Sequence, residues 1–150
     1  MKLISAKSQL DAEELKRLGY TCRVLPEFPS EEEIVKTTKL LEGEKIEFWS
    51  FEYGHDPEYF GPDNLRSALV RTYDESHKNL LIKFVDIDLY FWAPEEHEYM
   101  LMFGHSDLVK RVMDSGIFGF TFEEYLQSPG LSDKTVEVLR RIENEYTIGL

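Results

Sequence analysis

Residues 80–103, LLIKFVDIDLYFWAPEEHEYMLMF, carry a long apolar and aromatic run, and its reading decides how the sheet is built. Leu80 to Trp92 contains no Gly, Pro or paired turn residues, so the pattern predicts one long or bulged strand. At about 3.3 Å per residue such a strand crosses a whole domain. Pro94 ends it, Glu95, Glu96 and His97 make a three-residue tip, and the chain returns as a second strand through Tyr99, Leu101 and Phe103. Side chains alternate across a strand, which puts Ile87, Leu89, Phe91 and Ala93 on one face and Asp86, Asp88, Tyr90 and Trp92 on the other. Pairing Ala93 with Tyr99 joins the first face to Tyr99, Leu101 and Phe103 as core and sets Met100 and Met102 beside Tyr90 and Trp92. A slip of one residue would exchange the faces.

The second face combines rings and methionines with carboxylates, the chemistry of a protein-binding patch. The partner-contact candidates are therefore Asp86, Asp88, Tyr90 and Trp92 on the strand, with Glu95, Glu96 and Glu98 at the tip. The structural alternative is a helix covering this face, with Tyr90 and Trp92 in a second core layer. The acidic tip stays exposed under either reading.

Outward from this hairpin, helices are marked at Asp11 to Leu18, ended by Gly19, and after Ser30, whose capping box with Glu33 starts a helix that stops at Gly43. The acids Glu31, Glu32 and Glu33 suit the positive end of that helix dipole. Tyr20 to Leu25 and Glu44 to Tyr53 read as strands, Gly54 to Pro62 (GHDPEYFGP) as a loop, and Asn64 to Tyr73 as a helix, with a hairpin as its rival. The C-terminal third is helical: Ser106 to Ser115, a short turn at Thr121 to Leu126 with a Thr121/Glu124 capping box, and Ser132 to Glu145. Helices flanking an antiparallel sheet of about four strands define an α+β fold. No repeat or linker divides residues 1–150, so one domain is expected, burying roughly two-thirds of its unfolded surface.

Charge is the unusual property: 17 Lys and Arg against 29 Asp and Glu leave a net charge of −12. Such a surface repels phosphate and anionic lipid, which argues against nucleic-acid or membrane partners and for a basic protein partner. Solubility alone is the competing explanation of the acid. Cys22 is the single cysteine, which excludes an internal disulfide and a thiolate metal cluster; within YTCRVL it reads as a small buried hydrophobe. The start, MKLISAKSQLDAEE, lacks a signal-peptide pattern and no apolar run approaches the ~20 residues of a spanning helix, so a cytoplasmic location is expected.

Catalytic signatures are missing from the sequence. No phosphate-cradling glycine loop, dinucleotide fingerprint or nucleophile elbow occurs, and no spacing places two of His55, His77, His97 and His105 on one face for a metal. No cofactor, metal or catalytic residue is assigned. Asp86 and Asp88 could form an acid and base pair if burial split their pKa values. GHDPEYFGP, with His55, Asp56, Tyr59 and Phe60, has the mixed chemistry of a binding loop, and its Gly and Pro equally make it a rigid turn.

The stretch 86–126, DIDLYFWAPEEHEYMLMFGHSDLVKRVMDSGIFGFTFEEYL, runs from an acidic aromatic strand through a hairpin and a strand ending in FG to a helix and a short F-EEYL element. It resembles small acidic immunity proteins of bacterial toxin systems, including contact-dependent growth inhibition. That resemblance implies a cytosolic antidote that binds one cognate toxin domain, commonly a nuclease, and blocks its active site. It transfers no residue roles, because such families vary most where they contact their toxins. Two other classes stay open: a small enzyme with a carboxylate and histidine site drawn from GHDP and the hairpin, and an adaptor or oligomeric subunit.

Overall fold

The computed structural model describes residues 3–4, 9–26, 31–52, 54–74, 78–95, 99–115 and 121–149. Within them the order is α1 (Ala12–Arg17), β1 (Thr21–Pro26), α2 (Glu31–Leu40), β2 (Ile46–Phe51), β3 (Glu58–Asp63), α3 (Leu65–Asp74), β4 (Asn79–Phe84), β5 (Leu89–Ala93), β6 (Tyr99–Gly104), α4 (Ser106–Asp114), α5 (Phe122–Leu126) and α6 (Asp133–Tyr146). The fold is α+β, with a six-stranded sheet where about four strands were expected. The strands lie in the order β1-β6-β5-β4-β2-β3, and every neighbouring pair is antiparallel.

Two corrections account for the extra strands. The single strand expected over Leu80 to Trp92 folds back on itself: β4 and β5 pair antiparallel, Lys83 opposite Tyr90 and Leu80 opposite Ala93, with Val85 to Asp88 as the turn. Asp is a good turn former because its short carboxylate competes for local backbone donors. The expected loop at Gly54 to Pro62 becomes strand from Glu58, and β3 carries Gly61 and Pro62 as an edge strand can, since its outer backbone groups need no partner.

Local signals set the helices. Asp11 accepts from the backbone N–H groups of Glu13 and Glu14 at the start of α1, and Ser132 accepts from Thr135 N–H at the start of α6. Thr121 and Glu124 form both bonds of a capping box on α5. The N-terminus of α4 is capped by the His105 imidazole, which accepts from Asp107 N–H at 3.2 Å. The Ser30 half of the other expected capping box lies outside the described residues.

Helices cover both faces of the sheet. On one face α2, α3 and α4 bury Leu80, Ile82, Phe91 and Met102 beneath Ile34, Leu69 and Val112. On the other, α1, α5 and α6 set Leu15, Tyr125 and Leu139 against Val24, Trp92, Leu101 and Phe103. Strands sandwiched in this way read as continuous apolar runs, and all five residues of β5, LYFWA, are buried. The register differs by one residue from the expected pairing of Ala93 with Tyr99: Trp92 lies opposite Leu101 and Phe91 opposite Met102. Met100 and Met102 therefore share a face with Leu89, Phe91 and Ala93, while Leu101 and Phe103 join Tyr90 and Trp92.

At the β1 edge, Ile148 exchanges backbone hydrogen bonds with Cys22 (2.8 and 3.1 Å), and Arg23 donates to the carbonyls of Ile148 and Gly149 (both 2.9 Å). Cys22 is fully buried beneath this bridge, and burial pushes its thiol up to about 12. Among the described residues no helix is long and apolar enough to cross a membrane.

Candidate functional site: an aromatic groove

The expected contact set is dispersed by the fold. Tyr90 and Trp92 pack in the core, 5% and 2% exposed, on the face that α1, α5 and α6 partly cover. Tyr90 stacks on Phe103 with centroids 4.7 Å apart and planes 4° from parallel. Asp86 is exposed in the β4–β5 turn, away from any strand face. Asp88 is half-buried and accepts a 2.6 Å hydrogen bond from the Tyr20 hydroxyl, so its carboxylate ties the turn to the residue preceding β1. Glu95 is exposed and donates its backbone N–H to Asn79 Oδ1 at 2.9 Å. Glu96, His97 and Glu98 lie outside the described residues.

Burial, reinforced by the hydrogen bond to Asp88, holds the Tyr20 phenol above its ordinary value of 10.0. Removing the hydroxyl with Tyr20→Phe is expected to cost about 1 kcal/mol in urea unfolding at neutral pH. The raised phenol contributes its stability below pH 10.0, and that contribution is lost as pH rises above it, because the unfolded chain ionises first. The variant should accordingly show a shallower alkaline decline than the parent protein.

A different surface emerges where the helical cover ends. Antiparallel register aligns Val24, Leu101, Trp92, Leu81, Trp49 and Tyr59 in one row across the sheet, from β1 to β3. Because α1, α5 and α6 pack over β1, the row is buried at that end. At the other end Trp49 is half-buried and Tyr59 is 45% exposed. Their rings pack 4.7 Å apart, and Trp49 Nε1 donates to Glu47 Oε2 at 3.3 Å, which fixes the indole.

Beside this pair lies an open groove of about 390 Å³, walled by Leu3 and Ile4 on one side and by Trp49, Phe51 and Pro57 on the other. Leu81 and Lys83 of β4 also line it, as does Tyr90 of β5, the one member of the expected contact set that reaches the groove. Pro57 is shared with a second depression of about 350 Å³, lined by Ser50, Glu52, His55, Asp56 and Glu58. One depression is apolar and its neighbour acidic. Glu52, Asp56 and Glu58 line only the second depression, with Ser50 and Glu58 on the opposite sheet face, while Glu47 touches the Trp49 indole and Lys83 is the charged residue lining the groove.

GHDPEYF is thus divided by the sheet. His55 and Asp56 are exposed in the acidic depression, Tyr59 packs on Trp49, and Phe60 turns to the opposite face from Tyr59, 5.4 Å from Phe48 and beneath the Arg71 guanidinium at 4.4 Å. Among the described residues no three of His, Cys, Asp and Glu converge to hold a metal ion.

Sequence reasoning recognised Glu44 to Tyr53 as an aromatic strand and named Tyr59 within GHDPEYFGP as a member of a binding-type loop, but missed Trp49 and Phe51 as a surface. The available signal was Trp49 and Phe51 at alternate positions, on the face opposite buried Phe48.

Comparison with protein-family models, with curated proteins and with solved structures gives no match to this chain.

Proposed function

We propose that the protein is a cytosolic binding protein that captures a basic protein partner, in the manner of an immunity protein neutralising a toxin nuclease domain. The observation that carries this reading is a partly uncovered aromatic groove on a chain of net charge −12. Aromatic surface supplies contact area with little side-chain entropy to lose, and surrounding charge governs encounter. A nuclease must carry positive potential to hold phosphate. An acidic antidote is therefore drawn to it by the whole-molecule field, with rates up to ~10⁸–10⁹ M⁻¹s⁻¹ at low salt. Speed is what an antidote needs, since each free toxin molecule acts until it is bound.

The test is stopped-flow association with a basic nuclease domain encoded beside this gene. Between about 0.05 M and about 0.5 M salt the on-rate is expected to fall at least about tenfold, with a much smaller change in dissociation. An on-rate independent of salt would remove electrostatic capture as the mechanism.

A further inference from the structure

We infer that the acidic depression is a site of its own, apart from the aromatic groove, and that it takes the side-chain cation of an arginine or lysine through N–H hydrogen bonds. This inference rests on the reading that the partner is a basic protein, and it adds which group of that partner enters the chain and where.

Ser50 carries the argument. It pairs with Leu80 on one side and Glu58 on the other, and it is 2% exposed. Among the described residues its hydroxyl finds no hydrogen-bond partner, yet it lines the depression. A buried hydroxyl without a partner is costly, so this one calls for a polar group from outside the chain. Glu58 shares its sheet face, Glu52 follows two residues later, and Asp56 and His55 close the depression from the turn, where His55 N–H donates to the Glu52 carbonyl at 3.0 Å.

Charge and donor chemistry choose the occupant. Glu52, Asp56 and Glu58 make no ion pair with a described residue, and no Lys or Arg is among the described residues that line the depression. Arg71, on the same face, lies instead over the Phe48 and Phe60 rings at 5.0 and 4.4 Å. A bare metal ion does not suit, because no three of the described His, Cys, Asp and Glu side chains converge on one point. Guanidinium and ammonium groups carry several N–H donors and no acceptor, so one of them can bridge separated carboxylates and the hydroxyl, and a volume of about 350 Å³ admits either. A second copy of this chain would bring another −12, and a nucleic acid would bring phosphates.

Backbone amide signals of Ser50, Glu52 and Asp56 in two-dimensional NMR test this on the full chain at low salt. The probes are N-acetylargininamide, N-acetyllysinamide and tetramethylammonium, the last a cation of equal charge with no N–H to donate. The arginine or lysine probe is expected to shift these signals to saturation, and tetramethylammonium to bind at least about tenfold more weakly. Ser50→Ala should weaken the better probe about tenfold while leaving the urea midpoint unchanged or higher, since no hydrogen bond within the chain is lost. Glu58→Gln, at an exposed position, should weaken it as much, whereas Glu137→Gln, the same charge change on α6 at the other face, should not.

Absence of a saturable shift with both amino-acid probes overturns the site while leaving the salt-dependent capture of a basic partner standing. Equal binding of tetramethylammonium, or equal losses in Glu58→Gln and Glu137→Gln, reduces the effect to the field of the whole chain and overturns it too. A lowered urea midpoint in Ser50→Ala, or unchanged affinity in that variant, removes the hydroxyl from the site. A concentration-dependent dimer whose formation alone moves the Ser50 signal overturns the assigned occupant in favour of a second copy.

Discussion

Gly104→Ala is expected to destabilise the fold by roughly 3 kcal/mol, with a range of about 2–6 from overpacking and backbone strain together. Gly104 ends β6 at φ 146°, a backbone geometry that side-chain-bearing residues rarely adopt. A Cβ there would stand 2.0 Å from the Asp88 carbonyl oxygen and 2.8 Å from its carbon. The same oxygen accepts the His105 N–H at 2.8 Å, and Leu89 pairs opposite Gly104, so the turn cannot retreat without releasing the start of β5. Urea unfolding measures the loss. Gly130→Ala is the control, because nothing lies within 4 Å of a Cβ at that position, and it should stay within about 0.5 kcal/mol of the parent. If both variants behave alike, the contact between the Asp88 turn and β6 is softer than its geometry implies.

That turn also explains why the strand pattern misled. Helices announce themselves locally: Thr121 with Glu124, Ser132 and Gly19 are each legible within a few residues of the element they bound. The β4–β5 turn instead contains Val85, exposed at 47%, and is held by distant groups: Tyr20 on the Asp88 carboxylate, His105 on its carbonyl, and Val85 N–H on the Lys45 carbonyl. None of these is near in sequence, so residues 80–92 read as unbroken strand. The one-residue error in the β5–β6 register has a related cause. Alternation fixes register only when one face is polar, and here Met100, Leu101, Met102 and Phe103 are all buried, on alternating sides. The uninterrupted runs LLI, LYFWA and MLMF were themselves the signal for a sheet covered on both faces.

The site was less legible than the fold because exposure depends on where the helices of one face stop. Trp49 and Trp92 occupy the same row of the sheet, separated by Leu81, and differ only in what lies above them. Composition assigns both to core or both to surface. Here α1, α5 and α6 pack over β1, Trp92 is buried and Trp49 is partly uncovered, an outcome set by helices that begin and end far away in sequence.

Trp92→Ala is accordingly expected to cost about 3–5 kcal/mol in urea unfolding, the range for emptying a large aromatic site in a closed core. Its ring is 2% exposed, lies 5.9 Å from Phe51, and sits in the cluster that joins β5 and β6 to α5 and α6. The neighbouring row cannot collapse into the vacancy, because Leu81 and Leu101 on either side are fixed by ladder pairing. Trp49→Ala should cost much less, about 1–2 kcal/mol, since its ring is already half in water and leaves a dent where Trp92 would leave a cavity. Binding should rank the two in reverse: Trp49→Ala is expected to weaken the basic partner at least about tenfold, whereas any Trp92→Ala protein that remains folded retains it. Such a crossed pattern would separate the residue that holds the sheet together from the residue that meets a partner. If Trp49→Ala proved the more destabilising of the two, the helices would have to cover the β2 end of the sheet, and the groove would be part of the core.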